Sequence, residues 1–222
     1  MRYAIYYCPA AGSALAEFGR AWLAQAPLSI DLPGIHPARM DALLANVRRY
    51  GWHATIRAPF VLGAGVTCED LRDVVITVAQ RFPAIALPLQ VARLGGFLAL
   101  RPSGDSAVID PLAAACLDAL EPLRAPLAEE VSCKHADGFD AVELGLLERY
   151  GYPYVLDRYR FHMSLSAPAT EPEEQILRDE LARHAAAWST ARVDALSICR
   201  EAAPGADFEQ IERIALRTEC AA

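Results

Sequence analysis

Hydrophobic and polar positions along the chain follow two rhythms, and the switches between them mark its elements. Arg2 through Cys8 is aromatic and aliphatic, and Pro9 and Gly12 then supply a turn, which predicts an opening strand over 2–8. From Ser13 the spacing changes. Leu15, Phe18, Trp22 and Leu23 share one face of a helix over 13–24, with Ser13 as its cap. Residues 26–38, with Pro27, Pro33 and Pro37, read as a loop, and a short helix near 38–49 ends at Tyr50-Gly51. Trp52 to Phe60 is rich in aromatic and β-branched residues, which predicts a strand closed by Pro59. A helix follows over 67–82, opened by Thr67 with Glu69 and Asp70 in its first turn. Residues 85–95 and 97–102 pair around Gly95-Gly96, and a helix covers 106–123.

The second half runs in the same order. A helix over 139–150 ends at another Tyr-Gly, Tyr150-Gly151. A strand over 160–167 is closed by Pro168. A helix over 170–188 starts with Thr170 and Glu173 at capping-box spacing. Residues 192–201 and 208–218 form a hairpin around a Pro-Gly loop. The match extends to individual residues. His53-Ala-Thr-Ile-Arg-Ala-Pro59 aligns without a gap on His162-Met-Ser-Leu-Ser-Ala-Pro168, and Leu98-Ala-Leu-Arg101 on Ile214-Ala-Leu-Arg217. The two histidines are 109 positions apart in 222 residues. The chain therefore reads as one domain of two lobes related by an approximate twofold axis, roughly 1–105 and 106–222. Each lobe sends one His-x-Thr/Ser strand to a central cleft.

Bulk properties narrow the chemistry. Hydrophobic residues make up 54% and charged residues 22%, which suits a globular chain with a sizeable core. The net charge of -7 argues against a large nucleic-acid footprint and leaves room for a small anionic substrate held by a few arginines. No two of the six cysteines (Cys8, Cys68, Cys116, Cys133, Cys199 and Cys220) stand within four positions of each other, so they read as reduced thiols of a cytoplasmic protein. The apolar opening after Arg2 has the outline of a secretion signal, but Tyr3, Tyr6 and Tyr7 favour a strand. No apolar run reaches membrane-spanning length.

On a strand, residues two apart share a face. His53, Thr55 and Arg57 therefore fall together, as do Arg160, His162, Ser164 and Ser166. Two imidazoles, hydroxyls and two guanidinium groups suit a phosphate. One imidazole takes a proton from the attacking hydroxyl or water and the other gives one to the leaving oxygen. Thr55 and Ser164 bind the non-bridging oxygens, and Arg57 and Arg160 balance the charge. The scheme needs no metal or other cofactor. His36, His135 and His184 have no recognisable ligand spacing. Trp52 and Phe161 point the opposite way, into the core. Lys134 and His135 lie in a polar loop that reads as solvated.

At these residues the chain resembles the two-histidine (2H) phosphoesterase superfamily, whose hallmark is a pair of His-x-Thr/Ser-x motifs; here they are His53-Ala-Thr55-Ile and His162-Met-Ser164-Leu. The resemblance implies an α+β fold: two duplicated lobes, each an antiparallel sheet with helices on its outer face, and a cleft between them. Arg2-Tyr-Ala-Ile-Tyr-Tyr7, Tyr50–Phe60 and Tyr159–Ser166 are similar to a bacterial branch named for phosphonate metabolism. That likeness implies hydrolysis of a small cyclic phosphodiester, a ribose cyclic phosphate such as a phosphoribosyl cyclic phosphate. Ser164 replaces the commoner threonine and keeps the hydroxyl. Two alternatives stay open: a 2′,3′-cyclic phosphodiesterase acting on RNA ends, and a binding protein that holds a phosphate ligand without turnover. Oligomeric state is not legible.

Overall fold

A computed structural model describes residues 1–24, 32, 34–126 and 138–218. Eight strands form one curled antiparallel sheet in the order β6-β3-β4-β5-β2-β1-β7-β8. They are β1 (Arg2–Tyr7), β2 (Ala54–Phe60), β3 (Ile85–Leu94), β4 (Phe97–Pro102), β5 (Met163–Ser164), β6 (Thr190–Val193), β7 (Ala195–Glu201) and β8 (Phe208–Ala215). The helices are α1 (Ala14–Ala24), α2 (Pro37–Tyr50), α3 (Cys68–Ala79), α4 (Asp110–Leu120), α5 (Ala141–Tyr150), α6 (Glu171–Arg183) and α7 (Ala185–Trp188). The architecture is the α+β one that the resemblance implied, with the two motif strands β2 and β5 side by side at mid-sheet. Among the described residues no helix is long and apolar enough to cross a membrane.

Strand alternation divides the sheet into two faces. Tyr3, Ile5 and Tyr7 of β1, Ile56 of β2, Leu98 and Leu100 of β4, and Met163 join the main core. Leu15 and Trp22 of α1, Leu43 and Leu44 of α2, Leu71 and Val75 of α3, and Leu112 of α4 pack against them. Burying such side chains contributes about 1.5–3 kcal/mol each. The opposite face carries a smaller cluster of Ala4, Tyr6, Cys199 and Phe208, beside which the cleft opens.

The sequence halves do not stay on separate sides of this sheet. β3 and β4, from the first half, pair next to β5 and β6 from the second. β7 and β8, from the end of the chain, continue the sheet beyond β1. A single residue, Asp194, separates β6 from β7, which stand at nearly opposite ends of the strand order. It marks the switch because its carbonyl accepts from Leu216 N (2.9 Å) while its carboxylate accepts from Arg213 Nη2 (2.5 Å). The predicted strand over 192–201 is thus two strands.

Other boundaries also move. The strand expected over 160–167 is reduced to Met163–Ser164, because the backbone peels away from β4. Leu165 and Ser166 both donate to Leu98 O (2.8 and 3.4 Å), and Ala167 donates to Leu43 O in α2 (2.6 Å). Trp52 and His53 precede β2 rather than begin it. The helix expected over 170–188 breaks at His184, where ψ is 13°. The helix expected over 106–123 starts at Asp110 and gives way to a 3-10 turn over Glu121–Leu123. The caps read from sequence are present. Thr67 with Asp70 and Thr170 with Glu173 form capping boxes, and Ser13 Oγ accepts from Ala16 N (3.2 Å). Gly95 and Gly96 both take positive φ (56° and 97°), as a two-residue hairpin turn demands.

Candidate active site

The register between the two motif strands organises the site. Ala54 pairs with Met163. One step along the antiparallel ladder on either side sets His53 opposite Ser164 and Thr55 opposite His162. Each histidine therefore faces the other motif's hydroxyl, with the two imidazoles on the diagonal. Directly opposed residues hold their Cβ atoms about 4.5–5.5 Å apart and diagonal ones about 7–8 Å apart. All four side chains line one cleft of about 330 Å³, together with Ser166. A neighbouring recess of about 450 Å³ shares Thr55, Phe97, Tyr152 and His162 with it and continues past Arg160.

Both rings are held in the same way. His53 Nδ1 lies 2.9 Å from Gly51 O, and His162 Nδ1 lies 2.8 Å from Arg160 O. A carbonyl only accepts, so each Nδ1 carries the proton and each Nε2 is left as the reactive nitrogen. His53 Nε2 lies 3.3 Å from Thr55 Oγ1, which donates to it. Burial pulls the His53 imidazole down to about 4, opposed by its bond to Gly51 O and aided by His162. Burial also lowers His162, against its bond to Arg160 O and with help from the positive charge of Arg101. In the free protein near pH 7 both imidazoles are therefore neutral.

Aromatic rings fix the first histidine. Tyr6 stacks on His53 with centroids 3.9 Å apart, and Tyr50 stands 6.3 Å away. Behind the histidine, Trp52 Nε1 donates to Leu15 O (3.0 Å). A Cβ on Gly19 would sit 2.1 Å from Trp52 Cδ1, so only glycine lets α1 approach this closely. The second histidine has looser company. Phe97 lies 5.8 Å from its ring, with planes tilted by 53°.

The two arginines part company. Arg160 is exposed at the edge of the neighbouring recess, its Nη1 bonded to Asp157 O and Tyr159 O. Arg57 does not join the cleft. Its side chain is buried and donates to Glu121 Oε2 (3.2 Å) and Tyr150 O (3.0 Å), with its guanidinium over Phe60. Strand alternation failed here for a local reason. Thr55 pairs with Tyr6 but Arg57 pairs with Ile5, so Ile56 is an extra residue and the bulge turns Arg57 away.

Phe161 is buried in the core and Trp52 packs partly buried against it. Ser166 lines the cleft while its Oγ accepts from Leu98 N (3.3 Å). His36 caps α2 and His184 bonds Glu180, so neither enters the site. Lys134 and His135 lie outside the described residues. Sequence reasoning missed Tyr6, Phe97, Arg101 and Tyr152. Only knowledge of which strands are neighbours puts Tyr6 beside β2, or Phe97 and Arg101 beside β5.

Two curated relatives, each named Ribose 1,5-bisphosphate phosphokinase PhnN, come from Janthinobacterium sp. (strain Marseille) and Laribacter hongkongensis (strain HLHK9). Both are 37% identical, over 227 and 214 residues, and the alignments cover 96% and 94% of this chain. The chain spans about half the length of these relatives (50% of each). Among solved structures, E. coli LigT complexed with 3'-AMP aligns over 97% of both chains at 14% identity, with a TM-score of 0.47. A crystal structure of a phosphoesterase aligns over 97% of this chain and 98% of that one at 13% identity and a TM-score of 0.43. A family described as "Protein of unknown function (DUF1045)" matches residues 55–209, more than half of the sequence. The chain belongs to that family.

Proposed function

We propose that this protein is a phosphoesterase that opens a small cyclic phosphodiester, with His53 and His162 as its acid–base pair and Thr55 and Ser164 holding the phosphate. The observation that carries the reading is the reciprocal register, in which each imidazole faces the other motif's hydroxyl and turns an unprotonated Nε2 to one cleft. A bound phosphate brings negative charge between the rings, which favours protonating one of them. The neutral histidine then takes a proton from water as the water oxygen bonds to phosphorus. The protonated one delivers its proton to the departing sugar oxygen as that P–O bond breaks. The ring opens to a phosphomonoester, and the two histidines have exchanged protonation states. No step calls on a metal ion.

A ribose cyclic phosphate is the preferred substrate. The curated relatives are named for a ribose phosphate, and the sugar phosphate is taken from that name. Their phosphokinase activity is left with them, because half of each relative is unmatched here. A second reading, a nucleoside 2′,3′-cyclic phosphate, is favoured by Phe97, Tyr152, Tyr154 and Tyr159 around the 450 Å³ recess, a wall on which a base can stack.

The test is turnover in EDTA of ribose 1,2-cyclic phosphate and of nucleoside 2′,3′-cyclic phosphates by the wild type, His53→Ala and His162→Ala. EDTA-resistant turnover that disappears in both variants supports the mechanism, and the substrate opened fastest decides between the readings. Activity surviving in both variants refutes the site. Tight binding of a cyclic phosphate without turnover makes the protein a receptor.

A further inference from the structure

The sheet gathers a second polar cluster that the acid–base scheme does not use. Glu201 ends β7, and the ladder pairs it with Arg2 at the start of β1 and with Phe208 at the start of β8. The three residues form one row across the sheet and share a face. Tyr6 stands on that face too, four positions along β1 from Arg2. The Glu201 side chain is buried. It accepts from Arg2 Nε (2.5 Å) and Nη2 (2.9 Å), from Arg49 Nη2 near the end of α2 (2.5 Å), and from Gly205 N (3.0 Å).

Each arginine in turn covers an aromatic ring. Arg2 Cζ lies 5.8 Å from the centroid of Phe208, and Arg49 Cζ 5.0 Å from that of Tyr50. Those two rings stack on each other at 5.2 Å. Tyr6 and His53 close the circle: Phe208 to Tyr6 is 5.8 Å, Tyr6 to His53 is 3.9 Å, and His53 to Tyr50 is 6.3 Å. His53 is thus one of four rings held together, and the arginines on Glu201 grip two of the other three.

A buried carboxylate with two guanidinium groups is a poor device for stability alone, because desolvation offsets much of the attraction. What it supplies is fixed geometry. Arg2 and Arg49 both donate to Oε1, so the carboxylate is what keeps two like charges side by side. His53 needs such geometry. Its bond to Gly51 O pins one atom of the imidazole, and the stacked Tyr6, with planes 27° apart, sets the plane. Together they aim Nε2 at Thr55 Oγ1 and the cleft. His162 has the carbonyl bond and a tilted Phe97 at 5.8 Å in place of a stacked ring.

We infer that Glu201 is a remote positioning residue for His53: through Arg2 and Arg49 it clamps Phe208 and Tyr50, which hold Tyr6 flat against the imidazole. Only the catalytic consequence of this clamp rests on the phosphoesterase reading.

Two readouts separate positioning from stability. The first is NMR of the His53 ring in the substrate-free protein, its signals assigned by their loss in His53→Ala. A ring lying flat on Tyr6 has its carbon-bound protons shifted upfield by the tyrosine ring current. That shift should shrink in Glu201→Gln, which keeps the side-chain shape and removes the charge. It should also shrink in Tyr6→Leu and persist in Tyr6→Phe. The second readout is steady-state kinetics on the cyclic phosphate that the wild type opens. Glu201→Gln and Tyr6→Leu should lower kcat at least about tenfold, as displacing a reacting group does, and leave KM within about twofold. Tyr6→Phe should recover most of the loss. Thermal melting accompanies every variant. Arg49→Gln, which leaves the Arg2 pair in place, substitutes for Glu201→Gln if that chain does not fold, with the same changes expected. An unchanged upfield shift in the folded variant overturns the clamp, whatever happens to the melting temperature. A diminished shift with wild-type kcat overturns the positioning role. A diminished shift in a protein whose wild type opens no cyclic phosphate upholds the clamp and rejects the phosphoesterase reading.

Discussion

The two motif strands come from matching sequence, yet the pockets around their histidines differ. His53 is sandwiched: Tyr6 stacks on its ring at 3.9 Å, and its own threonine donates to its Nε2 at 3.3 Å. His162 sits against a tilted Phe97 at 5.8 Å, opens onto the recess that Arg160 also lines, and feels the positive charge of Arg101. The register and the carbonyl anchor of each Nδ1 are common to the two motifs while the surroundings differ. The enclosed histidine suits the role of proton acceptor, because burial keeps it neutral. The open one would suit the role of proton donor if the leaving group departs toward it.

The largest expected effect tests that division. His53→Ala and His162→Ala should each lower kcat by about 10²- to 10⁴-fold. If the roles differ as described, residual activity in His53→Ala should lose the acid limb of the pH–rate profile, and that in His162→Ala the alkaline limb. Identical profiles would mean that the two histidines are interchangeable.

The hydroxyls come next. Thr55→Val and Ser164→Ala should each reduce kcat/KM by about 10- to 100-fold, the worth of a hydrogen bond to a charged group. A far larger loss at Thr55 than at Ser164 would show that the contact with His53 matters more than the contact with phosphate.

Arg57 gives the contrast in stability. Arg57→Leu leaves Tyr150 O without its donor and Glu121 with Arg124 alone, and should cost about 2–3 kcal/mol in urea unfolding. Its kcat should change far less than in either histidine variant. A collapse of kcat with unaltered stability would return Arg57 to the active site.

The smallest effect is a titration. With its pKa lowered to about 4 in the folded protein, His53 should stay neutral by NMR down to that pH. The unfolded chain takes up the proton near 6.5, so it binds more protons than the native state between about 6.5 and 4. The His53 contribution to stability is therefore fully present above about pH 6.5 and declines as the pH falls toward 4. A His53 that titrates near its ordinary value would mean that the cleft is more hydrated than its burial implies.

Much of this molecule was legible in the sequence because periodicity and end signals are local. The caps at Thr67 and Thr170, the Gly95-Gly96 turn and the two histidine motifs each depend on a few adjacent residues. What was not legible depends on partners distant in sequence. Whether Arg57 continues the face of Thr55 is decided by a bulge opposite Ile5, and alternation on one strand carries no trace of it. The interruption at Asp194 and the short extent of β5 likewise follow from which strand lies alongside. Tyr6 and Arg101 entered the site by the same route, through neighbours in the sheet.

The strand exchange also governs the order in which the chain can mature. β1 is made before every other strand of this sheet, yet one of its edges is covered only by β7. Until Ala195–Glu201 has left the ribosome, that edge has no native partner and is open to pairing with other chains. Folding must wait for a contact spanning nearly the whole sequence, a topology that folds slowly. Truncation before β7 therefore removes much more than a terminal hairpin: it leaves a nascent chain whose first strand, carrying the tyrosine that stacks on His53, has an unpaired side and a tendency to aggregate.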